Sequence, residues 1–317
     1  MQRVFYRRQR QLAYEYRVGL AKKRGIRPGI YVGLVLVASL LSANLAIFQA
    51  EVSAHTSSKA SVQSLQTTVA SPLQLKPTLQ TTQPVVGESS RLDGIIASFA
   101  QSHPQVMWSV SVQGLGTDLV TANYNAGQVY NSASIYKLLL LYPLSQKLPY
   151  AQWATTKLKV GSRTLSVQDC VSAMLKVSDN ACGLAVGDYV GWAWADTQLK
   201  SIGLTSTVLN RASGPVTTAA DTTKYLSQLY SGNLFDSDSR QFILDALSQQ
   251  IYRSGIPAGC PQCDVSDKIG DLGNVRHDVG IVSSGNKTYI LSIFTSGASF
   301  AKIAEMTAQT QAFMDSN

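Results

Sequence analysis

The sequence predicts an α/β domain behind one N-terminal transmembrane helix: an antiparallel sheet drawn from both ends of the chain, flanked by helices, with a helical subdomain. Three features predict it. Residues 29–50 carry no charge over 22 positions, enough for a spanning helix, which needs ~20. Val106–Val112 (VMWSVSV) alternates like a strand, and two later apolar runs, Val279–Val282 and Tyr289–Phe294, meet at Ser284-Gly285-Asn286, a hairpin signal. The stretch between these early and late strands carries helical periodicity instead.

Net charge is +8, and its position decides its meaning. Residues 1–28 hold nine Lys/Arg against one acid, Glu15, whereas from Gly29 onward there are 18 charges of each sign. The basicity belongs to a tail, which argues against nucleic acid as a partner. Lys22, Lys23, Arg24 and Arg27 directly precede the apolar run, so residues 1–28 are expected in the cytoplasm and residues 51–317 outside the cell membrane. Val52-Ser53-Ala54 would pass as a cleavage site, but the basic region and apolar run are both long for a signal peptide, which favours a retained anchor. Residues 51–90 read as a linker: nineteen of 40 are Ser, Thr or Gln, with Pro72, Pro77 and Pro84 interspersed. The folded domain is expected over residues 91–317. Leu92, Ile95, Ile96 and Phe99 recur at helical spacing, Tyr136–Leu144 is apolar almost all round like a buried helix, and a last amphipathic helix runs from about Phe300 to Phe313.

The sequence contains no G-x-S-x-G elbow, P-loop, dinucleotide fingerprint or H-E-x-x-H. His277 and Asp278 are neighbours on a strand, hence on opposite faces and poorly placed as a triad pair. Asp236 and Asp238 read as a solvated turn, Asp221 as a helix-start cap, and Trp192 and Trp194 as packing. Ser-x-x-Lys occurs three times, at Ser134/Lys137, Ser284/Lys287 and Ser299/Lys302. It puts a hydroxyl and an amine one helical turn apart, and a lysine can take the serine's proton if burial or a nearby cation lowers its pKa. Only the first pair opens a buried helix, where the serine N–H is free and the positive helix end favours an oxyanion. Ser178-Asp179-Asn180 then closes a helical stretch, and Lys268-Ile269-Gly270 precedes a predicted strand.

These three elements, in this order, are the signature of the penicillin-recognising serine enzymes. The chain resembles class A β-lactamases and their relatives over about Arg91 to Asn317. The likeness extends to Tyr130-Asn131-Ser132-Ala133, Thr217-Thr218-Ala219-Ala220-Asp221, Gly255-Ile256-Pro257-Ala258-Gly259 and Val275–Val282. It implies Ser134 as acylated nucleophile, Lys137 as its base and Ser178 as proton relay to the leaving nitrogen. Asn180 would bind a substrate amide. Lys268, in the Lys268-Ile269-Gly270 segment, would attract a substrate carboxylate and depress the Lys137 pKa, and the N–H groups of Ser134 and Asp271 would form the oxyanion hole. Two departures stand out. No glutamate lies between Glu88 and Glu305, so the family's water-positioning acid is missing, and Asn210–Pro215 reads as a tight bypass of its loop. Ile269 replaces the usual hydroxyl residue, with Arg276 left as the substitute anion contact.

The cysteines Cys170, Cys182, Cys260 and Cys263 are even in number, which outside the cytoplasm favours disulfides over a zinc site or free thiols, with three pairings open. The expected function is a membrane-anchored, extracytoplasmic serine hydrolase with weak or stalled β-lactam hydrolysis. A D,D-peptidase, a penicillin sponge and a non-catalytic cell-wall-binding module are the alternatives. The substrate would be a small β-lactam or peptidoglycan-like molecule, with no cofactor and no metal.

Overall fold

A computed structural model describes residues 86–116 and 120–316. The basic tail, the apolar run and nearly all of the linker lie outside the described residues. Among the described residues no helix is long and apolar enough to cross a membrane.

The domain begins earlier than its composition suggests. Helix α1 spans Val86–Gln101, taking in the last five residues of the expected linker. Five strands form one antiparallel sheet in the order β2-β1-β9-β8-β7: β1 (Met107–Gly114), β2 (Thr121–Tyr124), β7 (Asp264–Leu272), β8 (Val275–Ser284) and β9 (Lys287–Ser296). The early strand β1 thus pairs with the last strand β9, as a sheet drawn from both chain ends requires. The segment Lys268-Ile269-Gly270 precedes β8, as expected, and itself lies inside a further strand, β7.

Each face of the sheet has its own core. On one face Val110, Val265, Val282, Leu291 and Ile293 pack under α1 and the terminal helix α10 (Phe300–Ser316). On the other Val279, Ile281, Ile290 and Phe294 join the apolar interior of the helical block. That block holds α2 (Tyr136–Leu139), α3 (Leu141–Lys147), the hairpin β4–β5 (Lys157–Val160, Arg163–Ser166), α4 (Val167–Lys176), α5 (Asn180–Val190), α6 (Trp192–Ser201), α7 (Ala219–Tyr230) and α8 (Ser237–Ser248). The single helix expected over Tyr136–Leu144 is two helices meeting at Leu140. Pro143 lies just beyond and has no N–H to give the preceding turn.

Side-chain caps start the main helices. The Ser166 hydroxyl accepts from Asp169 N, and Asp236 accepts from Asp238 N and Ser239 N. Asp236 is therefore a cap rather than a purely solvated acid. On α7 the cap is Thr218, which accepts from Asp221 N; Asp221 is buried and accepts from Ser206 N and Thr207 Oγ1. The short helix α9 (Ile256–Gly259) leads to Cys260, joined to Cys263 by a disulfide, while Cys170 and Cys182 remain buried thiols.

Candidate active site

The nucleophile segment is held by the sheet. Strand β3 (Tyr130–Asn131) pairs with β6 (Val216–Thr217), and Ser132 N donates to Pro215 O at 2.9 Å. His277 fixes the same segment from below. Thr295 N–H must donate to its Nδ1 (3.2 Å), so Nε2 carries the ring proton and donates it to Asn131 O (2.9 Å). Burial pushes the His277 pKa down to about 4, keeping the ring neutral. The chain then turns through Ala133, at φ +47°, into the 3₁₀ turn Ala133–Ile135 that presents Ser134. Gly270 packs closely beside it: a Cβ there would lie 3.1 Å from Ser132 O and 3.2 Å from Ala133 Cβ, so the turn would have to give by a few tenths of an ångström.

Ser134 Oγ lies 3.0 Å from Lys137 Nζ. The amine also reaches Ser178 O (2.6 Å), Asn180 Oδ1 (2.7 Å) and Ser178 Oγ (3.2 Å). Ser178 adopts φ +55°, a left-handed conformation that a serine holds only at a cost of about 1–3 kcal/mol, and this turn aims both its carbonyl and its hydroxyl at Lys137. Asp179 next to it caps α5, accepting from Cys182 N. One turn on, Gly183 lets α5 lie against the lysine stem, since a Cβ would stand 2.9 Å from Lys137 Cε.

Lys268 approaches from β7 on the other side of Ser178. Its Nζ donates to Ser178 Oγ (3.0 Å), Ile269 O (2.8 Å) and Gln250 Oε1 (3.4 Å), and its side chain is fully buried. Burial lowers Lys137 to about 8 and Lys268 to about 7. The charge of Lys137 adds to the lowering at Lys268. Burial is the larger cause at both lysines, and their like charges compete for a proton across Ser178 Oγ.

Gln250 closes the edge of β7. Its Oε1 accepts from Ile269 N (3.1 Å), and its Nε2 donates to Asp267 O (3.1 Å) and to Asp267 Oδ2. Ile269 N–H thus points off the free edge, and so does Asp271 N–H two residues on, toward the turn that carries Ser134. Asp267 also meets Arg253 NH1 at 2.7 Å, and Asp278 Oδ2 accepts from Ile256 N at 2.7 Å. Asp267 and Asp278 are both buried on the sheet face opposite His277 and within hydrogen-bond reach of each other. They can bond only if one keeps its proton, and Asp278 Oδ1 has no other partner. Burial and their mutual repulsion push Asp267 well up, and burial raises Asp278 to about 7.

A cleft of about 440 Å³ opens over this network, lined by Ser134, Val177, Ser178, Asn180, Tyr252, Ser254, Ile269, Asp271 and Phe300. Four expected site residues, Ser134, Ser178, Asn180 and Asp271, line it. Lys137, Lys268, Gly270 and Arg276 stand behind it or at its edge. Lys268 is turned toward three internal acceptors, so it acts on the cleft as a buried charge rather than through a direct contact. Arg276 is paired with Asp271 at 3.1 Å. The other two Ser-x-x-Lys pairs fall elsewhere: Ser284 and Lys287 face each other across the β8–β9 hairpin, and Lys302 pairs with Glu305.

Gln250, Arg253, Asp267 and Asp278 were not singled out as site residues by the sequence. The one available signal was an acid directly before Lys268, unexpected in a strand.

The family model for the β-lactamase enzyme family matches residues 90–313. The chain belongs to the β-lactamase enzyme family. It is a serine hydrolase of that type, with the family's mixed helix and antiparallel-sheet fold. Among solved structures, PBP-A superposes with a TM-score of 0.66 at 19% identity, covering 75% of this chain and 100% of that one. A PBP-A variant in an acyl-enzyme complex with penicillin G gives 0.62 at 18% identity, covering 74% and 98%. The TLA-3 extended-spectrum β-lactamase gives 0.65 at 18%, covering 71% and 99%. At these identities the likeness is one of fold. No curated protein matches the sequence.

The buried acid pair has a pH signature. A carboxyl with a raised folded pKa binds its proton more tightly in the folded state, so its contribution to stability falls as pH rises from about 4, the ordinary range, toward the folded value of about 7. Asp278→Asn keeps an acceptor for Ile256 N and supplies a permanent donor. Urea unfolding across pH 4–7 should show wild type losing stability relative to Asp278→Asn as pH rises, with parallel curves excluding the shared proton.

Proposed function

We propose that the domain performs acyl transfer through Ser134 and releases the acyl group slowly. The observation that carries this is the position of Lys137 Nζ, 3.0 Å from Ser134 Oγ and buried enough to lose its proton near neutral pH. A neutral amine has two N–H groups and one lone pair. The two shortest contacts, to Ser178 O and Asn180 Oδ1, can only accept and take the two N–H groups. The lone pair is left facing Ser134, where it serves as general base. As Ser134 Oγ attacks, the developing oxyanion takes hydrogen bonds from Ser134 N–H and Asp271 N–H. Ser178 Oγ accepts from Lys268, so its own proton is available for the leaving nitrogen, and Lys137, now carrying the Ser134 proton, resupplies it across 3.2 Å. The Asn180 amide nitrogen, with its oxygen bound to Lys137, addresses the substrate in the cleft.

Deacylation lacks its base. Val208 and Val216 bridge each other, with Asn210 Oδ1 bonding Ala212 N and Ser213 N, so the intervening loop is a tight turn. The acids nearby are engaged. Asp188 pairs with Arg211 and Trp192, Asp196 with Lys200 and Leu209 N, and Asp221 with Ser206 N and Thr207. Asp271, which lines the cleft, is paired with Arg276, and with these acids all engaged the site supports a stalled acyl-enzyme over a fast hydrolase. The penicillin G acyl-enzyme of a PBP-A variant supports a β-lactam as acyl donor. Residues 29–50 would anchor the domain, holding it outside the membrane on the linker.

Prolonged exposure to excess penicillin G, followed by removal of free drug, should leave an adduct on Ser134 by intact mass that persists far beyond its formation time. The acylation rate should rise with pH through about 8, because the working form of Lys137 is the unprotonated amine. Lys137→Ala should lower it at least ~10²-fold. Many turnovers, abolished in Ser134→Ala, would contradict slow release; an unchanged rate in folded Lys137→Ala would place the base elsewhere.

The topology has its own test. Protease added to intact cells should release the domain by cutting within residues 51–85. Full protection in cells with permeabilised outer layers would reject the orientation.

A further inference from the structure

Two cysteines take no part in the mechanism, yet they bracket the turn that supplies its oxygens. Cys170 lies on α4 and Cys182 on α5, and the chain between them carries Ser178 and Asn180. The two helices pack as a hairpin that closes where Asp179 N donates to Ala173 O at 3.2 Å. One helical turn back from Ala173 along α4 is Cys170, and one turn forward from Asp179 along α5 is Cys182. Two helices leaving one closing contact bring these positions opposite each other.

The side chains bear this out. Both are fully buried in the same apolar core, and the Cys182 thiol donates a hydrogen bond to Cys170. That bond keeps the proton on Cys182 and lowers the pKa of Cys170, so Cys170 is the first to become a thiolate. Asp179 ties the pair to the site: its side chain accepts from Cys182 N, and its carbonyl accepts from N–H of Gly183, the residue against the Lys137 stem.

We propose that Cys170 and Cys182 form a disulfide that cross-links α4 to α5 and holds the Ser178 turn against Lys137. The pairing stands on the hairpin; only its consequence for catalysis rests on the roles given to Ser178 and Asn180. The oxidant is a small disulfide such as oxidised glutathione. The Cys170 thiolate attacks one of its sulfurs and expels a thiolate. Cys182, giving its proton to solvent, then attacks Cys170 in the mixed disulfide and expels the second. Two protein thiols are oxidised, and one disulfide is reduced to two thiols. Because both sulfurs are buried, exchange takes place while the hairpin is open during folding, and the finished bond is shielded from reductants.

To test this, the full chain is unfolded in urea and refolded with oxidised and reduced glutathione. The folded fraction is isolated by size, its free thiols are alkylated in urea, and it is digested without reduction. Mass mapping should find Cys170 joined to Cys182 and Cys260 joined to Cys263. In Cys260→Ala/Cys263→Ala, which leaves only the proposed pair, hydrogen exchange at Asp179, Cys182 and Gly183 should be at least about tenfold slower in the oxidised protein than in the reduced one. That is a modest share of the ~hundredfold that closing a loop of this length takes from the open state.

Alkylated Cys170 and Cys182 in the folded wild type, or either one joined to Cys260 or Cys263, would overturn the pairing. Equal exchange in the two redox states would overturn the hold on the Ser178 turn. Neither result touches acyl transfer through Ser134, which labelling by penicillin G reads separately.

Discussion

One hydroxyl oxygen stands between two buried amines. Ser178 Oγ accepts from Lys137 at 3.2 Å and from Lys268 at 3.0 Å. Two ammonium groups sharing one acceptor inside a protein repel each other, and each also bears the cost of leaving water. The arrangement is tolerable only because the amines give up protons near neutral pH and because every remaining N–H has an oxygen to meet. Much of the surrounding structure supplies those oxygens. The left-handed turn at Ser178 delivers its carbonyl, Asn180 at the start of α5 delivers its amide oxygen, and Gln250 and Ile269 receive Lys268. Gly183 supplies no oxygen, but it leaves the room for Lys137 to reach them.

The sheet sets the positions of these parts. His277 on β8 ties Asn131 to the sheet, so the strand leading into Ser134 cannot drift relative to β7. Gly270 lets β7 press against the same turn. Beneath β7, on the far face, Asp267 and Asp278 hold a proton between them beside Arg253. An ionised pair at that position would pull on Lys268 and raise its affinity for a proton. Keeping one acid neutral leaves burial free to act on both lysines. The charges in the site are thus tuned from two sides of one strand.

Much of this was legible in the sequence, for identifiable reasons. Ser134 and Lys137 are three residues apart, and helical geometry alone makes them neighbours. Ser178 and Asn180 flank a helix cap, a local feature. The hairpin at Gly285 and the closing helix follow from period and turn chemistry. What could not be read depends on register. Gln250, Asp267 and Asp278 meet only because β7 pairs with β8 at one alignment and a loop from α8 seals the edge. The sequence DVSDKIGDL lacks the alternation of a half-buried strand, because its polar residues are satisfied on both faces, so β7 did not announce itself. Ala133 and Ser178 take positive φ without being glycine, and nothing in their identity signals it. The resemblance implied that Lys268 faces the substrate. Its burial and its three acceptors could be known only from coordinates.

The central claim is that burial, rather than repulsion between the lysines, makes Lys137 a base near neutral pH. The direct measurement is an NMR titration of the side-chain nitrogen of Lys137 in protein labelled with ¹⁵N-lysine, assigned with Lys137→Arg and repeated in Lys268→Met. The expected midpoint in wild type is about 8, and it should stay well below the ordinary lysine value when Lys268 is replaced. A Lys137 midpoint at the ordinary lysine value of about 10.4 would contradict the claim. So would one that returns to that value when Lys268 is removed, because the depression would then belong to the neighbouring charge.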